Sequence, residues 1–241
     1  MAGVEYLNLF RDPKGLDVMP TWETRFYSIR DAFLLAFLFG GSMIEDLKLT
    51  EETYVVFDLE TTGLYPNSGD SIIEIGAVKI KDGKIIDRYD ELVNPNKLLS
   101  EEIIKITGIS NEMLEGKITE EIAIKDFMKW VGNDPLVAHN AKFDISFIEM
   151  AFTKYNLGKL SNIVIDTLGL SRYLESSERY HNLATLVKRY NIPWDEDKHH
   201  RADYDSEGTA LIFDKMLRKL ELNNFKILKD LYKYPFIVIR K

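Results

Sequence analysis

Thr53-Tyr54-Val55-Val56-Phe57-Asp58-Leu59-Glu60-Thr61-Thr62-Gly63-Leu64 is the stretch that decides the fold. Its first half is rich in β-branched and aromatic residues and it closes on a Thr-Thr-Gly turn, the pattern of a buried strand. Side chains alternate along a strand, so Val56, Asp58 and Glu60 share one face while Val55, Phe57 and Leu59 share the other. Two carboxylates thus stand side by side at the end of an apolar strand. Such a pair repels itself, and burial raises the pKa of at least one member. A cation between them relieves both costs, and hard oxygen ligands with no cysteine nearby suit Mg²⁺ or Mn²⁺. The alternative is a surface strand with solvated acids. The apolar run and the depletion of Asp in strands weigh against it.

Downstream, Ser71 to Ile80 reads as a second strand, Asp82-Gly83 as a hairpin turn, and Lys84 to Val93 as a third strand. Three strands joined by short turns make an antiparallel meander, which Asn94-Pro95 ends. Helical segments follow. Ser100 caps one that stops at Gly108, and Ser110 opens a short turn ending at Gly116. Thr119 begins a helix whose core stripe is Ile122, Ile124, Phe127, Met128 and Val131. Leu136 to Ala138 is a short buried strand.

That strand runs into His139-Asn140-Ala141-Lys142-Phe143-Asp144, which turns into a helix. Asp144, Phe147 and Ile148 fall at i, i+3 and i+4, placing an acid on the sheet-facing side, where a lone charge is costly unless paired or bound to metal. His139 and Asn140, at a strand end, suit hydrogen bonding to the local backbone or contact with substrate better than acid–base chemistry. Ile163 to Thr167 is a last short strand, and Asp166 reads first as a helix cap. Asn182 to Tyr190 is a helix, and the run Asp195 to Lys198 a solvated loop. In the next helix Asp205, Thr209, Ile212 and Met216 form one stripe, so Asp205 is another acid on a buried face. His200 lies about 140° around a helix from Asp205 and cannot share that face. It belongs on the preceding loop, and its side chain has the unperturbed pKa suited to abstracting a proton near neutral pH. His199 reads as loop decoration.

The 241 residues are 45% hydrophobic, enough for one sizeable core with appendages. The formal net charge of −8 argues against a protein that grips duplex DNA through many phosphates. No Gly-x-x-x-x-Gly-Lys loop is present, which excludes a P-loop motor. Absence of cysteine removes disulfides and thiolate chemistry and fits a cytoplasmic setting. Residues 1–42 form an N-terminal extension with an apolar helix ending Ala32 to Phe39, far short of the ~20 residues that span a bilayer. No membrane association is expected. The helix packs on the main domain, on a copy of itself, or on a polymerase or other nucleic-acid-processing partner. Gly40-Gly41-Ser42 reads as a linker, with the main domain at residues 43–222 and a tail at 223–241, where Pro235 to Ile239 could add an edge strand.

Asp58-x-Glu60, Asp144 and His200-x-x-x-x-Asp205, in that order on strand, helix and helix, resemble the DEDDh 3′–5′ exonucleases. The segments Val55 to Leu64, Val137 to Asp144 and His200 to Asp205 look closest to the exonuclease domain of PolC-type replicative polymerases. The similarity runs from about Thr53 to Leu220, and residues 1–42 match no element of the family. It implies an α/β, RNase H-like fold: a mixed five-stranded sheet with helices on both faces. It also implies two divalent cations, Mg²⁺ or Mn²⁺, held by Asp58, Glu60, Asp144 and Asp205, with His200 as general base. Thr61, Thr62, Gly63 and Leu64 would approach the 3′-terminal nucleotide, with His139, Asn140 and Phe143 beside the substrate. The expected substrate is the 3′ end of single-stranded or frayed DNA, released as nucleoside 5′-monophosphates. RNA and a catalytically silent scaffold are the alternatives.

Overall fold

In the computed structural model, described over residues 48–193 and 201–238, strand β1 (Tyr54–Thr61) is the hub of a mixed sheet. It pairs antiparallel with β2 (Ile72–Lys81), which pairs antiparallel with β3 (Lys84–Asn94). This is the expected meander, and Gly83 turns it with φ of 70°. On its other side β1 pairs parallel with β5 (Leu136–Ala138), and β5 pairs parallel with β6 (Val164–Asp166). These five strands make the body of the sheet. Two-residue strands extend both edges: β4 (Ile118–Thr119) beside β3, and β7 (Ile237–Val238) beside β6. The order is β4-β3-β2-β1-β5-β6-β7. The tail therefore does supply the edge strand that its apolar residues suggested.

Helices α1 (Glu101–Thr107) and α2 (Asn111–Leu114) follow β3, and α3 (Glu120–Val131) and α4 (Lys142–Lys154) flank β5. After β6 come α5 (Thr167–Leu174), α6 (Leu183–Arg189) and the long α7 (Ala202–Leu222). The alternation of β1 sorts the core into two layers. Tyr54 and Val56 pack with Phe213, Met216 and Leu217 of α7. Val55, Phe57 and Leu59 pack on the opposite face with Phe127 of α3 and Ile148 of α4. The N-terminal extension with its apolar helix, the Gly-Gly-Ser linker, the Asp195 to Lys198 run, His199 and His200 lie outside the described residues.

One helix is rotated from its expected setting. Ile122 is exposed, whereas Ala123, Ile124, Phe127 and Val131 are buried together with Glu120. The cause is polar. The Glu120 carboxylate turns inward to accept the Ile72 backbone N–H at 3.1 Å, the Lys154 ammonium at 2.9 Å and the Tyr155 hydroxyl at 2.9 Å. Satisfying those donors fixes the helix's rotation more firmly than one isoleucine does.

Tyr54 shows the opposite situation. Its ring packs edge-on against Phe213 at 5.0 Å, but among the described residues its buried hydroxyl has no hydrogen-bond partner. A buried unsatisfied hydroxyl carries a desolvation penalty of about 1–3 kcal/mol. Tyr54→Phe is therefore expected to raise stability in urea unfolding, by about 1 kcal/mol; a lower midpoint would show that the hydroxyl is partnered.

Candidate active site

The carboxylates meet at one end of the sheet. Asp58 and Glu60 project from the far end of β1 towards α7, where Asp205 sits in the first helical turn. One carboxylate oxygen from each of the three lies within 4.8 Å of the others. Asp58 and Glu60 are half-buried, and Asp205 is buried. Asp144 arrives from the first turn of α4, fully enclosed, and accepts the Leu59 backbone N–H at 3.2 Å. It comes from the other face of β1, near enough for its charge to act on Asp58, and stands outside the three-acid group. The stripe Asp205, Thr209, Ile212 and Met216 is buried as the spacing required, and so are Asp144, Phe147 and Ile148. Residues up to 147 positions apart in the chain (58 to 205) thus converge on one pocket.

The electrostatics follow from this crowding. Burial, then the Asp144 charge, then Glu60 and Asp205 push the Asp58 carboxyl well above the ordinary carboxylate range. Burial, then Glu74, Asp205 and Asp144 push Glu60 up to about 8, against a downward pull from Arg201. Burial likewise raises Asp144, although the backbone N–H groups it accepts oppose the rise. An all-carboxylate donor set at such spacing, with no sulfur or imidazole ligand among the described residues of the cluster, fits a hard divalent cation.

The turn after β1 is held by Asp70. Its carboxylate accepts the Tyr65 backbone N–H at 2.9 Å and the Thr62 hydroxyl at 3.4 Å. The Thr61 hydroxyl donates to the Gly63 carbonyl at 2.6 Å. A Cβ at Gly63 would stand 2.4 Å from the Asp70 carboxylate, so a side chain there would push that carboxylate aside. Beside it Leu64 and Tyr65 are each 66% exposed, two large apolar side chains presented to solvent at the rim.

His139 is not an open acid–base group. Its Nδ1 is 3.0 Å from the Thr167 hydroxyl, and burial pulls its pKa down to about 4, leaving the ring neutral at physiological pH. Asn140 takes a left-handed conformation with φ of 65°. Its backbone N–H and those of Ala141 and Leu168 all donate to one oxygen of Asp166, at 3.0, 3.3 and 3.1 Å. Asp166 is thus the cap of α5, as its position suggested, and it also ties down the loop leading to Asp144. Phe143 is half-buried against Phe147, 5.2 Å between ring centres.

Two residues at the site escape a reading of the sequence. Glu74 on β2 faces Glu60 across the strand pair and is fully buried. Arg201 donates from Nε and Nη2 to its carboxylate. The signal available was a charge inside the otherwise apolar run Ile72 to Val78.

A meander passing into a parallel pair, with acids gathered at one end and helices on both faces, defines the RNase H-like class of nucleases. The chain belongs to the Exonuclease family, whose model matches residues 55–213. Within it the chain is related to PolC-type DNA polymerase III proteins. It is 48% identical over 171 residues to the PolC-type DNA polymerase III of Bacillus subtilis, a match covering 70% of this chain and 12% of that protein. To the corresponding protein of Staphylococcus haemolyticus it is 46% identical over 176 residues, covering 73% of this chain and 12% of the relative. The chain therefore spans about an eighth of the length of these relatives. Among solved structures, exonuclease X in complex with 5′ overhanging duplex DNA superposes with a TM-score of 0.54 at 28% identity, over 68% of this chain and 91% of the other. The nuclease domain of 3′hExo, a DEDDh family member bound to rAMP, superposes with a TM-score of 0.62 at 20% identity, over 71% and 94%. The latter likeness is one of fold. No described helix is long and apolar enough to cross a membrane.

Proposed function

We propose that this chain is a metal-dependent 3′–5′ exonuclease acting on the end of single-stranded or frayed DNA in proofreading or end-trimming. The observation that supports it most strongly is the convergence of Asp58, Glu60 and Asp205 within 4.8 Å, with Asp144 beside them. These four acids would hold two divalent cations, Mg²⁺ or Mn²⁺. Bound there, the cations would supply charge neutralisation and Lewis acidity at a phosphodiester.

The protein's own groups do the rest. His200 accepts a proton from the attacking water. As the new P–O bond forms, the bond to the 3′-oxygen of the preceding nucleotide breaks, and a nucleoside 5′-monophosphate leaves. The stapled turn Thr61, Thr62, Gly63 and Leu64 faces the terminal nucleotide, and exposed Leu64 and Tyr65 offer apolar surface against a splayed base. Neutral His139, with Asn140 and Phe143, lines the other side without adding charge. A net charge of −8 is compatible with this, because only a few nucleotides need to be held. By its sequence the apolar N-terminal segment suits packing on the main domain, self-association or docking of a polymerase or another nucleic-acid-processing protein in a cytoplasmic setting; residues 43–222 are assigned to catalysis and residues 223–241 to a tail.

End-labelled DNA and RNA strands with free and blocked 3′ ends, incubated with Mg²⁺, Mn²⁺ or EDTA, test this directly. The expected result is stepwise shortening of free-ended DNA from its 3′ terminus that EDTA stops. Internal cleavage, or shortening that persists in EDTA, would rule the proposal out, and a preference for RNA would reassign the substrate.

A further inference from the structure

We infer that Glu74 and Arg201 form a positioning clamp that sets the start of α7, and through it the placement of Asp205 against Asp58 and Glu60, an inference that rests on the exonuclease reading of the acidic centre. Glu74 lies on β2 directly opposite Glu60, and Gly76, two residues on, lies opposite Asp58. Both oxygens of the fully buried Glu74 carboxylate are engaged by the beginning of α7. Arg201, the residue capping that helix, donates from Nε at 3.0 and 3.3 Å and from Nη2, and the Ala202 backbone N–H donates at 2.9 Å. The carboxylate thus anchors the N-terminal end of a 21-residue helix, where negative charge is favoured. Gly76 completes the contact. A Cβ there would stand 2.0 Å from the Ala202 carbonyl carbon and 2.1 Å from the Asp203 nitrogen, so the helix start rests on bare β2 backbone.

The path from clamp to site is short. Asp205 is three residues beyond Ala202, and its backbone N–H donates to the Arg201 carbonyl at 3.0 Å. One guanidinium thus fixes the point from which the acid departs. A fork-shaped cation suits this work, since it binds both carboxylate oxygens in one plane. A lysine ammonium does not.

The test separates positioning from plain electrostatics by sign. Glu74 and Arg201 carry opposite charges near the cation site. By Coulomb's law alone, Glu74→Gln weakens Mn²⁺ binding, Arg201→Gln tightens it, and Arg201→Lys leaves it unchanged. The clamp predicts that all three weaken it, by about tenfold or more, as loss of groups that orient metal ligands does. Titration of the full chain with Mn²⁺, followed by electron paramagnetic resonance of the free ion, reads this out. Amide hydrogen exchange over Ala202 to Asp205 should speed up in each variant, with the melting transition of the rest of the chain retained. In turnover, kcat should fall while KM for a short oligonucleotide stays near the wild-type value. Should Arg201→Gln fail to fold, Arg201→Lys decides alone, because it keeps the charge and loses only the fork. Unchanged exchange together with unchanged or tighter Mn²⁺ binding in Arg201→Lys would overturn the clamp. A wild-type chain that binds no Mn²⁺ or digests no strand would instead refute the nuclease reading, leaving the exchange measurement to judge the clamp.

Discussion

Asp58→Ala and Asp205→Ala are each expected to abolish metal-dependent shortening of a labelled strand, by at least about 10³-fold, or about 4 kcal/mol of transition-state stabilisation. The size follows from what each carboxylate does in the cluster. Asp58 feels the charges of Asp144 from one side of β1 and of Glu60 and Asp205 from the other, and on the proposed reading it links all four acids into one donor set. Removing it divides the set. Asp205 is the only member from α7, so without it the helix contributes no ligand. The effect on the fold has the opposite sign. Each deletion relieves like-charge repulsion, so the metal-free variants should melt at or above the temperature of the metal-free wild type. The pairing of lost turnover with retained or raised stability distinguishes removal of a ligand from general damage to the core. Wild-type turnover in either variant would show that the residue holds no essential ion.

Much of this centre was legible in the sequence because the acids interrupt apolar patterns with definite periods. The two-residue alternation of β1 put Asp58 and Glu60 on one face, and the helical spacings of Asp144 and Asp205 put each on a buried stripe. What stayed hidden depends on partners distant in the chain. The inward turn of Glu120 is set by Ile72, Lys154 and Tyr155, and no local pattern announces it. Glu74 reads simply as part of a strand, but its role comes from Arg201, 127 residues away. β4, with two residues, is too short to show a period at all; it forms because a sheet edge is already there to pair with. The twin duty of Asp166, capping α5 and holding the turn before α4, likewise needs the parallel β5–β6 pair to bring its donors together.

The same crowding predicts that the metal-free protein loses stability as pH rises. Carboxyl groups in the unfolded chain titrate near 4. In the fold Glu60 titrates at about 8, and Asp58 and Asp144 are also displaced upward. Between those limits the folded state holds more protons than the unfolded state, so the slope of unfolding free energy against pH is negative. Stability is fully present below the unfolded values and is lost as pH passes through the folded ones. A tenfold change in proton affinity is worth about 1.4 kcal/mol, so the loss by pH 8 amounts to several kcal/mol. Divalent cations should reverse it, since a ligand that binds only the folded state at about a hundred times its Kd adds about 2.7 kcal/mol. Melting curves in EDTA should therefore fall steadily from mildly acidic to mildly alkaline pH. Millimolar Mg²⁺ or Mn²⁺ should lift the alkaline end strongly and the acidic end little, where protons already neutralise the cluster. Glu60→Gln should flatten the EDTA profile by removing one of the displaced groups. A metal-free melting temperature that is level across this range, or a cation effect of equal size at both ends, would mean that the acids do not share one charged pocket.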